Sequence, residues 1–292
     1  SSIFKEENGK SMSRIKIISD STCDLPEEFL TRYDVTVTPL YVCMDGAERR
    51  DGVDITPAEI FAHVDAGGEL CSTSAVSVHD YETVFARYAA EYDGVLQITI
   101  GANFSACYQN AVIAAAEFPN VRVVDSENLS IGQGLLVAAA GEMVREGLGL
   151  DEIEERLHLL RGKVETSFLI DRLDYMAKGG RCSAVTALGA NLLRLKPCIE
   201  VRGGKMAVVK KYRGSFEKCM LHYVAERLDG REDIDRTLAF LSHSAVPEET
   251  VAATRGAVEE RGVFHTLCMG RLGCTVSCHC GPHTMGVVFL RK

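Results

Sequence analysis

The segment Gly94–Phe118, GVLQITIGANFSACYQNAVIAAAEF, constrains this chain more than any other stretch. Val95, Leu96, Ile98 and Ile100 make a short apolar run rich in β-branched residues, which reads as a buried strand. Gly101, Ala102 and Asn103 interrupt it, and Tyr108, Ala111, Val112 and Ala115 then recur at helical spacing. Ser105 stands at the junction, where its hydroxyl can accept an otherwise unpaired first-turn N–H. A strand, a tight turn and a helix start suit an anion, because free N–H groups and the positive end of the helix dipole meet there. Read locally, Ser105 is a helix cap.

The same alternation runs through the first half. Arg14–Ser19 reads as a strand, Asp20-Ser21-Thr22-Cys23 as a polar turn, and Asp24-Leu25-Pro26-Glu27 as a helix start capped by Asp24. Asp20 reads as a turn and capping residue rather than a catalytic one. Val35–Met44 reads as extended, and the turn dipeptides Asp45-Gly46 and Asp51-Gly52 predict a hairpin. Thr56-Pro57-Ala58-Glu59 is another capped start. The hydroxyl-rich run Cys71–Ser77 precedes a helix over His79–Tyr92, with Ser77 as its cap. Val121–Asp125 is a strand, and helices follow it up to Leu160. This succession predicts an α/β domain with a mostly parallel sheet and helices on both faces. Thr73, Ser74 and Ser105 would gather at the ligand edge of that sheet.

The boundary falls near Gly162–Glu165, giving an N-terminal α/β domain over 14–163 and a C-terminal α/β domain over 164–292 with a mixed sheet and helices. A length of 292 residues fits two domains. Cys198–Val201 and Met206–Tyr212 around Arg202-Gly203-Gly204-Lys205 predict a hairpin. Residues 1–13 read as a tag or disordered tail, with Met12 as a natural start.

Charge narrows the partners. With 32 Lys and Arg against 41 Asp and Glu, the net charge is −9, which argues against nucleic acid or an anionic membrane surface. No apolar run reaches 18 residues, so no stable membrane insertion is expected. Eleven scattered cysteines, an odd number, fit reduced thiols in a cytoplasmic protein. Cys274, Cys278 and Cys280 cluster with His279 and His283, but Cys-x₃-Cys-x-Cys is not a usual zinc spacing. These small side chains read as alternating along a strand, and no metal is expected. The chain carries no Walker A loop, dinucleotide fingerprint or Gly-x-Ser-x-Gly elbow.

Several motifs in order resemble the DegV family of bacterial fatty-acid-binding proteins, from about residue 14 to the C-terminus. They are Asp20-Ser21-Thr22-Cys23-Asp24-Leu25-Pro26; Thr73-Ser74 with Ser77; Phe104-Ser105 with Tyr108-Gln109; Asp125-Ser126 with Ser130 and Gly132-x-Gly134; Lys178-Gly179-Gly180-Arg181; Leu195-Lys196-Pro197 with Gly204; Arg213-Gly214; and His279-x-Gly281-Pro282. The resemblance implies two α/β domains with a lipid tunnel between them. It implies that a bound long-chain fatty acid, with no other cofactor, is held by its carboxylate at Thr73 and Ser105. Ser74 adjoins them, and His279 and Arg181 are secondary members of the polar end. It also implies a non-catalytic subunit that presents the fatty acid to a separate fatty acid kinase, which makes acyl phosphate. The chain departs from the family pattern at Ala75-Val76, at Ala106-Cys107 and at His283.

The physics agrees with this expectation. A desolvated carboxylate needs donors, and hydroxyls with helix N–H groups supply them. Each buried methylene contributes about 0.8 kcal/mol. Leu129, Ile131, Phe168, Ile170, Leu188, Leu192 and Leu193 are candidate tunnel walls. Lys178, Arg181, Arg194 and Lys196 form a basic group in an acidic chain, either a partner-steering patch or a solvated helix end. The competing function is a stand-alone lipid hydrolase using Ser105 and His279.

Overall fold

The structure is a computed structural model that describes residues 12–188 and 194–292. In chain order the first half contains β1 (Ile15–Asp20), α1 (Glu27–Arg32), β2 (Thr36–Thr38), β3 (Tyr41–Met44), β4 (Ala47–Arg50), α2 (Pro57–Asp65), β5 (Ser72–Ser74), α3 (Val78–Glu91), β6 (Gly94–Thr99), α4 (Cys107–Ala115), β7 (Val121–Asp125), α5 (Ile131–Arg145) and α6 (Leu150–Leu160). The second half contains β8 (Val164–Leu169), α7 (Leu173–Gly179), α8 (Ser183–Thr186), β9 (Leu195–Arg202), β10 (Lys205–Arg213), α9 (Phe216–Leu228), β11 (Ile234–Ser244), α10 (Glu248–Glu259), β12 (Thr266–Arg271), α11 (Cys274–Cys280) and β13 (Thr284–Arg291). No helix among the described residues is long and apolar enough to cross a membrane.

Among these residues, β2-β1-β6-β7 form a parallel four-stranded sheet. Side-chain alternation divides its strands between two layers. Ile18 and Val95 join Tyr81 and Phe85 of α3 and Ala111 of α4. Ile15, Ile17, Leu96 and Ile98 join Phe29 of α1, Leu135 and Leu136 of α5, and Ile153 of α6. Helices therefore cover both faces, as the sequence pattern predicts. A six-stranded mixed sheet, β10-β9-β8-β13-β11-β12, is built wholly from Val164 onward. One face packs Leu169, Leu241 and Phe289 on Tyr223 and Val224 of α9 and Val258 of α10. The other face meets the N-terminal half: Phe168 and Ile199 enter the layer of Ile18, while Phe240 and Val288 enter that of α5. Gly132 permits this closeness, since a Cβ there would stand 2.3 Å from Thr166 Oγ1 of β8.

Asp20 ends β1 and is fully buried. Its Oδ1 accepts from Tyr81 Oη at 2.5 Å, Thr38 Oγ1 at 3.0 Å and Gln97 Nε2 at 3.1 Å, and its Oδ2 accepts from Ile100 N at 2.9 Å. It caps no helix with its side chain; it ties β1, β2, α3 and β6 together. Asp24 does not cap α1 either. Pro26 holds the residue before it extended, so α1 begins only at Glu27. Asp24 adopts φ 51° and its carboxylate accepts from Ser130 Oγ at 2.6 Å. The capping boxes at Thr56 with Glu59 and at Ser77 with Asp80 form, as do the hairpins β3–β4 and β9–β10.

Two further expectations are corrected. Thr73 and Ser74 lie not in a helix start at the edge of the parallel sheet but on β5, paired antiparallel with β3 in a separate three-stranded sheet. Cys274–Cys280 is a helix rather than a strand. Its small and β-branched residues favour extension, but a remote carboxylate decides otherwise. Asp51 accepts from Cys274 N at 2.9 Å, from Thr275 N at 3.2 Å and from Thr275 Oγ1 at 2.8 Å. Its other partner is Ser21 Oγ, at 3.0 Å. The N-terminal half thus caps a helix of the C-terminal half, and Gly281, at φ 76°, follows its end. Asp51→Ala should lower the unfolding free energy by about 3 kcal/mol, because it leaves buried N–H groups unpaired. Chemical denaturation reads the change; a loss below about 1 kcal/mol would show that the cap is dispensable.

Candidate lipid site

α11 carries the site between the halves. Its side chains diverge: Cys274 and Cys278 pack on Ile60 and Phe61 of α2, Cys280 enters the layer of Leu40 and Ile100, and His279 points to β5. His283 turns to Asp171, at 3.1 Å. The five residues read from sequence as a cluster therefore do not converge. Among the described residues no group of three or more His, Cys, Asp or Glu could hold a metal ion.

His279 Nε2 lies 2.7 Å from Thr73 Oγ1. Its Nδ1 is buried without a partner among the described residues, and a Cβ at Gly179 would come within 2.4 Å of it. The first glycine of Lys178-Gly179-Gly180-Arg181 thus makes room for the imidazole, and the second adopts φ 70° to end α7. The tautomer with its proton on Nε2 avoids burying an orphan donor; it donates to Thr73 Oγ1 and leaves the threonine O–H free to donate onward. Burial, and then the nearby Arg181 charge, push the His279 pKa down to about 4. The imidazole is neutral at pH 7.

Ser105 sits one residue before the position expected of a cap. Ala106 occupies the N-cap of α4, and Ser105 Oγ accepts from Cys107 N at 3.3 Å and donates to Cys107 Sγ at 3.3 Å. Arg181 is exposed; its Nε donates to Phe104 O at 3.4 Å and its Nη1 to Gly179 O at 2.7 Å, which links the Ser105 loop to the end of α7. Thr73, Ser74, Ser105, Arg181 and His279 all border one cavity of about 40 Å³, walled by Leu40, Ile100, Phe104, Leu129, Met206 and Val276. Ser74 is at the edge, with its hydroxyl donated to Glu48 at 3.2 Å.

Leu129, Val276 and Cys280 also line a second cavity of about 30 Å³, which continues to Phe168, Ser242, Leu272 and Val288. Of the expected walls, Leu129 and Phe168 line these cavities, Ile131 and Ile170 are buried in adjoining core, and Leu188 is half-buried. Leu192 and Leu193 lie outside the described residues. Val276 and Cys280 were not legible as walls, because their stretch reads as a strand. Lys178, Arg181 and Arg194 are exposed, but Lys196 is not part of that basic surface: it is buried against Asp171 at 2.6 Å.

Residues 14–292 match the family model described as "Uncharacterised protein, DegV family". The chain belongs to the DegV family. A DegV domain-containing protein of Clostridium acetobutylicum is 31% identical over 96% of this chain and 100% of its own length. A solved structure described as fatty acid binding of a DegV family protein from Thermus thermophilus superposes with a TM-score of 0.86 at 33% identity, covering 96% of this chain and 100% of that one. A stearic acid-binding protein from Eubacterium ventriosum gives 0.79 at 28% identity, covering 95% and 98%. The two α/β domains of this DegV protein are therefore those of the family.

The depressed His279 pKa makes a stability prediction. An unfolded histidine takes up a proton near pH 6.5, whereas native His279 resists it until about pH 4. Its contribution is complete above pH 6.5 and is lost as the pH falls toward 4. Asp20, raised to about 6 by burial, has the opposite slope, so the wild type must be compared with a variant that retains it. His279→Gln should remove about one proton from the pH dependence of unfolding between pH 6.5 and 4. Identical slopes in urea titrations of the two proteins would contradict a neutral, buried His279.

Proposed function

We propose that this protein carries a long-chain fatty acid between its two domains and presents the carboxylate to a separate kinase for phosphorylation to acyl phosphate. The observation that carries the reading is convergence. The Thr73–His279 pair, Ser105 and Arg181 meet at one end of a cavity whose remaining walls lead into a second, largely apolar one. Thr73 and Ser105 donate hydroxyls to the carboxylate, neutral His279 orients Thr73, and Arg181 supplies positive charge at the rim. Charge-assisted hydrogen bonds of this kind offset the desolvation of the carboxylate. The relatives described as binding fatty acid and stearic acid support the ligand class. Each cavity has room for a group of water size, so an acyl chain enters by spreading Leu129, Val276 and Cys280 apart.

The kinase step is supported by the likeness of the motifs to the acyl-carrying subunit of fatty acid kinase. Exposed Lys178 and Arg181 adjoin the polar end, where they can steer an acidic partner. All eleven cysteines are free thiols, which accords with work in the cytoplasm. Hydrolysis is the weaker reading: His279 is bonded to Thr73 rather than to Ser105, so the base that a serine nucleophile needs is engaged elsewhere.

Ser105→Ala should weaken fatty acid binding by about 1–3 kcal/mol, the loss of a bond to a charged group, with the fold retained. Calorimetric titration with unchanged affinity would remove Ser105 from the site. With ATP, magnesium and fatty acid, the purified chain should make acyl phosphate only when the kinase is added. Product from the chain alone would refute the carrier role.

A further inference from the structure

The second cavity holds a polar group that packing of a plain acyl chain leaves unused. Ser242 is 5% exposed, and its Oγ is shielded from solvent with no hydrogen-bond partner among the described residues. The other hydroxyls around this cavity are engaged. Ser130 donates to Asp24, Thr166 to Asn128, and Thr284 to the carbonyls of Cys280 and Gly281; Ser167 pairs with Tyr223. A lone unsatisfied hydroxyl in an apolar wall destabilises the fold unless something that enters the cavity satisfies it.

The strand pattern places Ser242 there. Along β11, Ala239 and Leu241 turn toward α9 and α10, whereas Phe240 turns toward α5 and the N-terminal half. Ser242 follows Phe240 by two residues and shares its face. Its register partner on β12 is Gly270, where a Cβ would stand 3.0 Å from Ser242 Oγ and 3.3 Å from Ile131. Glycine there leaves room for the hydroxyl itself. The cavity shares Leu129, Val276 and Cys280 with the one that holds the Thr73–His279 pair, so a chain anchored by its carboxylate passes Ser242 along its length.

Building on the fatty acid reading, we propose that Ser242 is a specificity determinant that selects acyl chains bearing a hydroxyl where the chain passes β11. A chain hydroxyl is both donor and acceptor and can satisfy the serine in either sense; a methylene can do neither. One added hydrogen bond of ordinary net strength corresponds to roughly fivefold in affinity.

The test uses the full chain, stripped of lipid and titrated by calorimetry. The probes are octadecanoic acid and a series of hydroxyoctadecanoic acids with the hydroxyl at successive carbons. One positional isomer should bind roughly fivefold tighter than octadecanoic acid, while isomers far from that carbon bind more weakly. Ser242→Ala should abolish the preference, so that the hydroxy isomers no longer bind more tightly than octadecanoic acid. If no isomer binds wild type more tightly than octadecanoic acid, the inference is overturned while the carrier reading stands. A preference that survives Ser242→Ala overturns it as well. The wild-type series decides the matter alone if the variant does not fold. If wild type binds neither octadecanoic acid nor any hydroxy acid, the carrier reading fails and this inference falls with it.

Discussion

Asp51 reaches from the loop after β4 to the N-terminus of α11, and three of its hydrogen bonds go to Cys274 and Thr275 of that helix. Most of the site depends on this capping. α11 carries His279 to Thr73, lines the first cavity with Thr275 and both cavities with Val276 and Cys280, and packs Cys274 and Cys278 against α2. A helix of seven residues has little stability of its own. It persists here because one domain satisfies its end and the other supplies its chain. The polar end of the site is thereby made from both domains: Thr73 and Ser105 come from the first, His279 and Arg181 from the second.

The chemistry at that end follows from burial. A neutral imidazole that donates to a threonine hydroxyl orders that donor without adding a charge, and Arg181 at the rim is exposed. On the proposed reading, such a site would hold a carboxylate by hydrogen bonds more than by ion pairing. Asp20 plays a different part. Buried and bonded to Tyr81, Thr38, Gln97 and Ile100, it is the scaffold's fixed point at the edge from which the Ser105 loop departs.

Much of this architecture was legible in the sequence because it is local. The β6–α4 unit, the capping boxes at Thr56 and Ser77 and the two hairpins depend on residues within a few positions of each other. The five candidate site residues were singled out through motif likeness, and they border one cavity. What the sequence hid is non-local. The helical state of Cys274–Cys280 depends on Asp51, more than 200 positions earlier. The role of Gly179 depends on an imidazole a hundred residues away. Lys196 reads as a surface cation until Asp171 is seen beside it. Ser242 gave no local signal, since a serine in an apolar strand declares itself only when its neighbours are known to be partnered.

The central claim is that an acyl chain lies between the domains with its carboxylate at Thr73 and Ser105. Mass spectrometry of the intact protein under non-denaturing conditions, followed by extraction and identification of the released lipid, tests it most directly. The account predicts one fatty acid per chain, lost on denaturation and depleted in a Thr73→Ala, Ser105→Ala double variant that remains folded. A wild-type protein that takes up no fatty acid even after incubation with excess lipid, or a double variant that retains its full complement, would contradict it.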